Sequence, residues 1–165
     1  TETTAPALST DERVLAVIGD LTRAGGVMTT RHKTYSLIIT DSRLVFAELT
    51  RDKVSAAAAG ARDAARAEGK SVWRRWRAQM SAPATIHETY YQITPGEALA
   101  ESPGNFAIDR SDIKELRLRT GMVDEVRAAP DQVTIVTASG TYRLRTRRPF
   151  SNIEKVFRAA GLAPV

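Results

Sequence analysis

The chain has 165 residues, no cysteine and 42% hydrophobic residues, which suits one domain with a real core and excludes a disulfide framework or a thiolate metal site. Its net charge of +5 and sequence pI near 9.9 favour anionic partners without choosing among them. No apolar run approaches the roughly 20 residues that span a bilayer and no signal-peptide core is visible, so the expectation is a cytoplasmic protein, at most peripheral at a membrane.

Residues 14–21 read as a first strand with short apolar residues on both faces. Residues 22–33 read as a loop around Gly25-Gly26, carrying Arg23, Arg31, His32 and Lys33. Tyr35, Leu37 and Ile39 alternate into a second strand. After the turn Thr40-Asp41-Ser42-Arg43, Leu44 and Phe46 share one side of a third strand, with Val45, Ala47 and Leu49 on the other. Period two then stops. From 51 to 85 the chain is rich in helix formers and reads as a helical insertion. Val54, Ala58, Ala61, Ala65, Val72, Trp76 and Met80 share an apolar arc there, Trp73 lies at its edge, and Arg62, Arg66, Lys70, Arg74 and Arg77 fill the adjacent face.

Strand character is expected again over 86–93. Thr94-Pro95-Gly96-Glu97 is a capping box that opens a short helix. Residues 105–108 and 112–119 read as strands and 122–131 as a loop, in part extended. Ser139-Gly140 then reads as a two-residue hairpin turn with Gly at positive φ, which places Ile135 opposite Leu144, Thr137 opposite Tyr142 and Val133 opposite Thr146. Thr134, Val136, Arg143, Arg145 and Arg147 take the other face. Pro149 ends the ladder, and Ser151-x-x-Glu154 is expected to cap a final helix whose apolar side is Phe150, Ile153, Phe157 and Ala160, stopped by Gly161.

About seven antiparallel strands closed by one C-terminal helix resemble the pleckstrin-homology-like (PH-like) superfold, in particular bacterial PH-like and GRAM-like domains. The features that carry the resemblance are T-D-S-R-L-V-F at 40–46, N-F-A-I at 105–108 and the final hairpin plus helix. It covers nearly the whole chain outside 51–85 and rests on topology. It implies a single domain over 1–165: a barrel of two nearly orthogonal antiparallel sheets with the helix plugging one open corner. It implies no catalysis, and binding of lipid headgroups, peptides or proteins. In lipid-binding members, basic residues of the first strand and first loop hold the headgroup. The nearest match here is Arg23, a gap, then Arg31-His32-Lys33, with a Lys point charge where an Arg fork is usual.

Catalytic motifs are weak. Ala64 to Ser71 fits a permissive P-loop ending Gly69-Lys70-Ser71, but it follows helix formers where a strand is required. His87-Glu88 begins like a zincin helix, yet Tyr91 occupies the second histidine position and His32 is the only other histidine. No Gly-x-Ser-x-Gly turn appears. The expectation is therefore no catalytic residue, no metal and no cofactor.

Two basic features remain. Arg143, Arg145 and Arg147 form a stripe that Arg117 and Arg119 extend if their strands are neighbours; a solvated sheet face is the plainer account. Trp73-Arg74-Arg75-Trp76-Arg77 combines rings suited to a membrane interface with headgroup-binding guanidinium groups, or pins the insertion to the domain or to a second copy of it. The resulting expectation is a non-enzymatic binding or scaffold module for an anionic membrane surface or a protein partner. The alternatives are a nucleic-acid-binding basic module and a hydrolase built on scattered carboxylates.

Overall fold

A computed structural model describes residues 12–23, 32–53, 55, 82–121, 123–124, 127–128, 131–146 and 148–165. The alternating N-terminal stretches become β1 (Val14–Arg23), β2 (Lys33–Thr40) and β3 (Arg43–Glu48), an antiparallel meander. Of the 51–85 insertion, the described parts are helical backbone at 51–53 and 55 and the start of helix α1 (Ala82–Thr89). Helix α2 (Pro95–Ala100) opens as expected: the Thr94 side chain accepts from Glu97 N, and the Glu97 side chain accepts from Thr94 N. Strands β4 (Phe106–Asp109) and β5 (Ile113–Arg119) follow, separated by a 3-10 turn over Arg110–Asp112. The expected loop at 122–131 contains two short strands, β6 (Val123–Asp124) and β7 (Arg127–Ala128), which pair with each other. Strands β8 (Asp131–Thr137) and β9 (Thr141–Thr146) and helix α3 (Phe150–Ala159) complete the chain.

The main sheet has seven strands in the order β4-β3-β2-β1-β9-β8-β5. Its two edges, β4 and β5, are consecutive in the chain, yet no ladder joins them among the described residues, so the sheet is open and the expected closed barrel is not formed by hydrogen bonding. One reason is visible on β5, where Val165 N donates to Leu116 O at 2.8 Å and takes up an edge acceptor. The sheet nevertheless curls. Phe106 on β4 stacks on Tyr142 of β9 at 5.5 Å, although four strand steps of about 4.8 Å would hold them far apart in a flat sheet.

Alternate residues of β2 and β3 feed two cores. Tyr35, Leu37, Ile39, Leu44 and Phe46 face inward with Val133, Ile135 and Leu144, and α3 fills the curl with Ile153, Phe157 and Ala160. On the outer face Ile38, Val45 and Ala47 lie under Ile86, Tyr90 and Ala98 of the segment holding α1 and α2. That demand corrects the strand expected at 86–93. Ile86, His87 and Tyr90 are buried while Glu88, Thr89 and Tyr91 are exposed, a helical spacing that lets one short element cover a sheet face. Lys53 secures the cover: its Nζ donates to Glu48 O at 2.9 Å and lies 2.8 Å from Glu101 Oε2, while Tyr90 Oη donates to Glu101 at 3.0 Å. Burial, then the Glu101 charge, raise the Tyr90 phenol above its ordinary range.

The hairpin keeps its expected faces but not its register. Val133 pairs with Leu144 and Ile135 with Tyr142, a shift of two residues, because the turn is centred on Ala138-Ser139. Thr137 N donates to Gly140 O at 2.8 Å, the Thr137 hydroxyl bonds Gly140 again, and Gly140 needs no positive φ. A two-residue slip preserves the side-chain period, so the core face is unchanged.

The start of α3 also differs. Pro149 is the N-cap, without a side-chain cap bond, and Ser151 lies inside the first turn instead of forming a box with Glu154. Proline's fixed φ and missing N–H make the earlier start inexpensive. The end is as expected: Gly161 adopts φ +77°, Gly161 N donates to Arg158 O and Leu162 N to Phe157 O. The Phe150 side chain lies outside the described set.

Glu12 binds the β2–β3 turn. It accepts from Thr40 Oγ1 at 2.6 Å, Ser42 Oγ at 2.8 Å and, as a fork, from Arg43 Nε at 2.9 Å and Nη2 at 2.8 Å. Burial pushes this carboxyl up, but the bonds from Arg43, Thr40 and Ser42 and the Arg43 charge overcome it and hold it below the usual range.

Candidate functional site

The candidate basic residues that the structure describes separate into two places. Arg23 and Lys33 face each other across β1 and β2, where like charges directly opposite are unfavourable. Each is drawn aside: Lys33 Nζ lies 3.3 Å from Glu48, and the Arg23 guanidinium sits over the Tyr142 and Phe106 rings at 5.1 and 5.6 Å. Arg31 lies outside the described residues, as do Arg147 and the run Trp73, Arg74, Arg75, Trp76 and Arg77.

The second place is the outer face of β5, β8 and β9. Arg117 and Arg119 are not on a strand next to Arg143 and Arg145; β8 lies between. The register forms two rows, Arg117–Thr134–Arg143 and Arg119–Gln132–Arg145, the latter continuing to Thr22 on β1. Strand spacing puts the outer columns about 10 Å apart and the rows about 7 Å apart. All four arginines are exposed. Glu115 takes a forked pair from Arg117 at 2.5 and 2.6 Å, so the charge that remains uncompensated among the described residues belongs to Arg119, Arg143 and Arg145. Thr134, Gln132 and Val136 keep the middle of the face low.

A further constellation, absent from the sequence expectations, lies on the opposite half of the outer surface. In β1 the register jumps between Ile18, opposite Leu37, and Leu21, opposite Tyr35. Gly19 and Asp20 therefore both face Ser36, which is a β-bulge. Asp20 has φ +62°, the left-handed region an aspartate enters only at some cost. His87 of α1 is pressed onto this bulge: a Cβ at Gly19 would lie inside its imidazole. Ser36 Oγ is 2.6 Å from His87 Nδ1, and Asp20 Oδ1 is 3.5 Å from Nε2, which is buried without a hydrogen bond among the described residues. Arg148 Nη2 approaches the other Asp20 oxygen at 3.8 Å. Burial lowers the His87 pKa; Asp20 opposes that shift and Arg148 reinforces it.

The arrangement suits the Nε2–H tautomer, with the Ser36 hydroxyl donating to Nδ1. Serine, histidine and aspartate in a row match a nucleophilic relay in composition only. Ser36 is 1% exposed beneath α1, so no substrate carbonyl reaches its hydroxyl. Among the described residues no group of three or more His, Asp or Glu side chains gathers as a metal site, and no helix is long and apolar enough to cross a membrane. Comparison of the chain with protein-family models, with curated proteins and with solved structures finds no match.

Two signals in the sequence bear on the missed constellation. A Gly-Asp pair inside a strand pattern is a bulge signal. Apolar residues on both sides of β1 and β3 also require a covering element. Gly19→Ala is expected to destabilise the protein by about 1–3 kcal/mol, since the clash falls on a locked, buried ring. Denaturant unfolding checks this, and the penalty should shrink in a His87→Ala background, where the obstructing ring is gone.

Proposed function

We propose that the chain is a non-enzymatic binding module of PH-like build that docks on an anionic membrane surface through the outer face of β5, β8 and β9. The observation that carries this reading is the double row of Arg117, Arg119, Arg143 and Arg145 with the uncharged Thr134 and Gln132 between. An outer face with three uncompensated guanidinium groups offers several phosphate contacts at once to an anionic surface. The PH-like reading is supported by the strand order, in which β1 joins a four-strand meander to a three-strand one, and by α3 packed into the curl. Ser36's burial supports the non-enzymatic part. The described side chains of this face include no aromatic ring on which a nucleic acid base would stack, which sets that partner second.

Co-sedimentation with phosphatidylcholine vesicles, with and without phosphatidylserine, tests the proposal. Each basic residue near an anionic surface contributes about 1 kcal/mol, so Arg143→Gln with Arg145→Gln should weaken binding about 30-fold while leaving the fold intact. Binding should also fall steeply with salt, because the described side chains of this face include no large apolar group that would insert. Failure of the wild type to sediment with anionic vesicles, or undiminished binding by the double variant, refutes it. Binding to duplex nucleic acid in place of vesicles would transfer the face to the other class of polyanion.

A further inference from the structure

We propose that His87 is an acid-operated latch: proton uptake on its imidazole releases helix α1 from the outer face of β1 and β2. The proposal stands on how the ring is held. Gly19 is the seat, the bulge sets Asp20 beside Nε2, and among the described residues Ser36 bonds Nδ1. In the neutral ring Nδ1 is the acceptor for the Ser36 hydroxyl. An added proton comes from solvent past the half-exposed Asp20 and settles on Nδ1, which then becomes a donor. Ser36 Oγ must turn from donor to acceptor, and its own proton loses its partner in a place only 1% exposed. The same step puts a full charge into a site that is 7% exposed.

Every described charge facing the ring can be named. From β1 it is Asp20, which favours the charged ring but is 3.5 Å away and shared with Arg148. From the segment after β9 it is Arg148, which opposes protonation. β2 and β3 face this side with Ser36, Ile38, Val45 and Ala47, which carry no charge, and on α1 itself Glu88 is exposed. The sign follows. The ring's folded value lies below the ordinary 6.5, so the docked state binds fewer protons than the released one. Docking is at full strength above about pH 6.5 and weakens as pH falls through that value toward the ring's own. Release uncovers Ile38, Val45 and Ala47, and Tyr91 gives up the hydrogen bond its hydroxyl accepts from Val17 N.

The test pairs ring titration by NMR with hydrogen exchange over residues 82–92, corrected for the intrinsic pH dependence of exchange. The chain has two histidines, and His87→Gln identifies the His87 signal by its loss. The expected result is that His87 titrates below the ordinary histidine value of 6.5, that α1 protection falls at least tenfold across that titration, and that protection in His87→Gln shows no such step. Asp20→Asn provides an arm independent of that variant's folding, because asparagine also tolerates left-handed φ. Removing the carboxylate should move both the titration and the release to lower pH together. Unchanged α1 protection while the ring titrates overturns the latch, as does the same step in His87→Gln or a titration and release that part company in Asp20→Asn. Vesicle binding plays no role in these measurements, so the latch and the docking proposal stand or fall separately.

Discussion

Replacing Phe157 by alanine is expected to cost about 3–5 kcal/mol, the range for deleting a buried aromatic side chain. Phe157 is fully buried and joins Ile153 and Ala160 in the core that the curled sheet encloses. Its carbonyl accepts the Leu162 N–H that ends α3, and this bond survives the substitution. The loss is therefore of packing alone: apolar area returned to water and a cavity left in the core beneath the curled sheet. Phe157→Leu, which conserves most of the volume, should cost less than about 1.5 kcal/mol. Urea unfolding of both variants checks the difference. Near-neutral behaviour of the alanine variant would mean that α3 leans on the sheet without filling it.

Glu12→Ala is expected to cost about 3 kcal/mol, the low end for breaking a buried ion pair, because Arg43 retains some access to water. The carboxylate is the common acceptor for Thr40, Ser42 and Arg43, so its loss leaves a partly buried guanidinium without a counter-charge and loosens the tie between the β2–β3 turn and the segment leading into β1. The pH dependence has a definite sign. The folded carboxyl titrates below its ordinary value, so its contribution is present above that value and is lost as pH falls through the folded one. Glu12→Gln should keep the shape yet remove this acid-side decline from a plot of Tm against pH. A decline that persists unchanged in the glutamine variant would assign it to other carboxylates.

How far the sequence could be read depended on what each residue had to satisfy. The alternation of Tyr35, Leu37 and Ile39 with Leu44 and Phe46 is dictated by one curved core, and β2 and β3 follow it. The Thr94–Glu97 box is satisfied within four residues and needed no tertiary knowledge. Ser151 and Glu154 spell the same motif, but Pro149 starts the helix first. The stretch from Ile86 to Ile93 is rich in β-branched and aromatic residues, and strand propensity is mostly a statement about packing. Here the packing was a sheet face already paired on both edges, which needs a lid and not another strand. The arginine rows were half legible: which face they share follows from period two, whereas β8's place between them is fixed only by topology. Asp20, His87 and Ser36 lie on three elements, and nothing local relates them.

The junction of β1 with β9 has a consequence for how the chain assembles. Three residue pairs hold it, Leu21 with Thr146, Thr22 with Arg145 and Arg23 with Leu144, whereas β1–β2, β2–β3 and β8–β9 are neighbours in sequence as well as in space. The local hairpins close short loops at little entropic cost and gain their contacts early. The junction closes nearly the longest loop the chain contains for the fewest residue pairs of any ladder in the seven-stranded sheet, so the barrier to folding concentrates there. Until those three pairs form, the two hairpin systems are separate pieces with unshared cores, and α3 has no concave surface to enter.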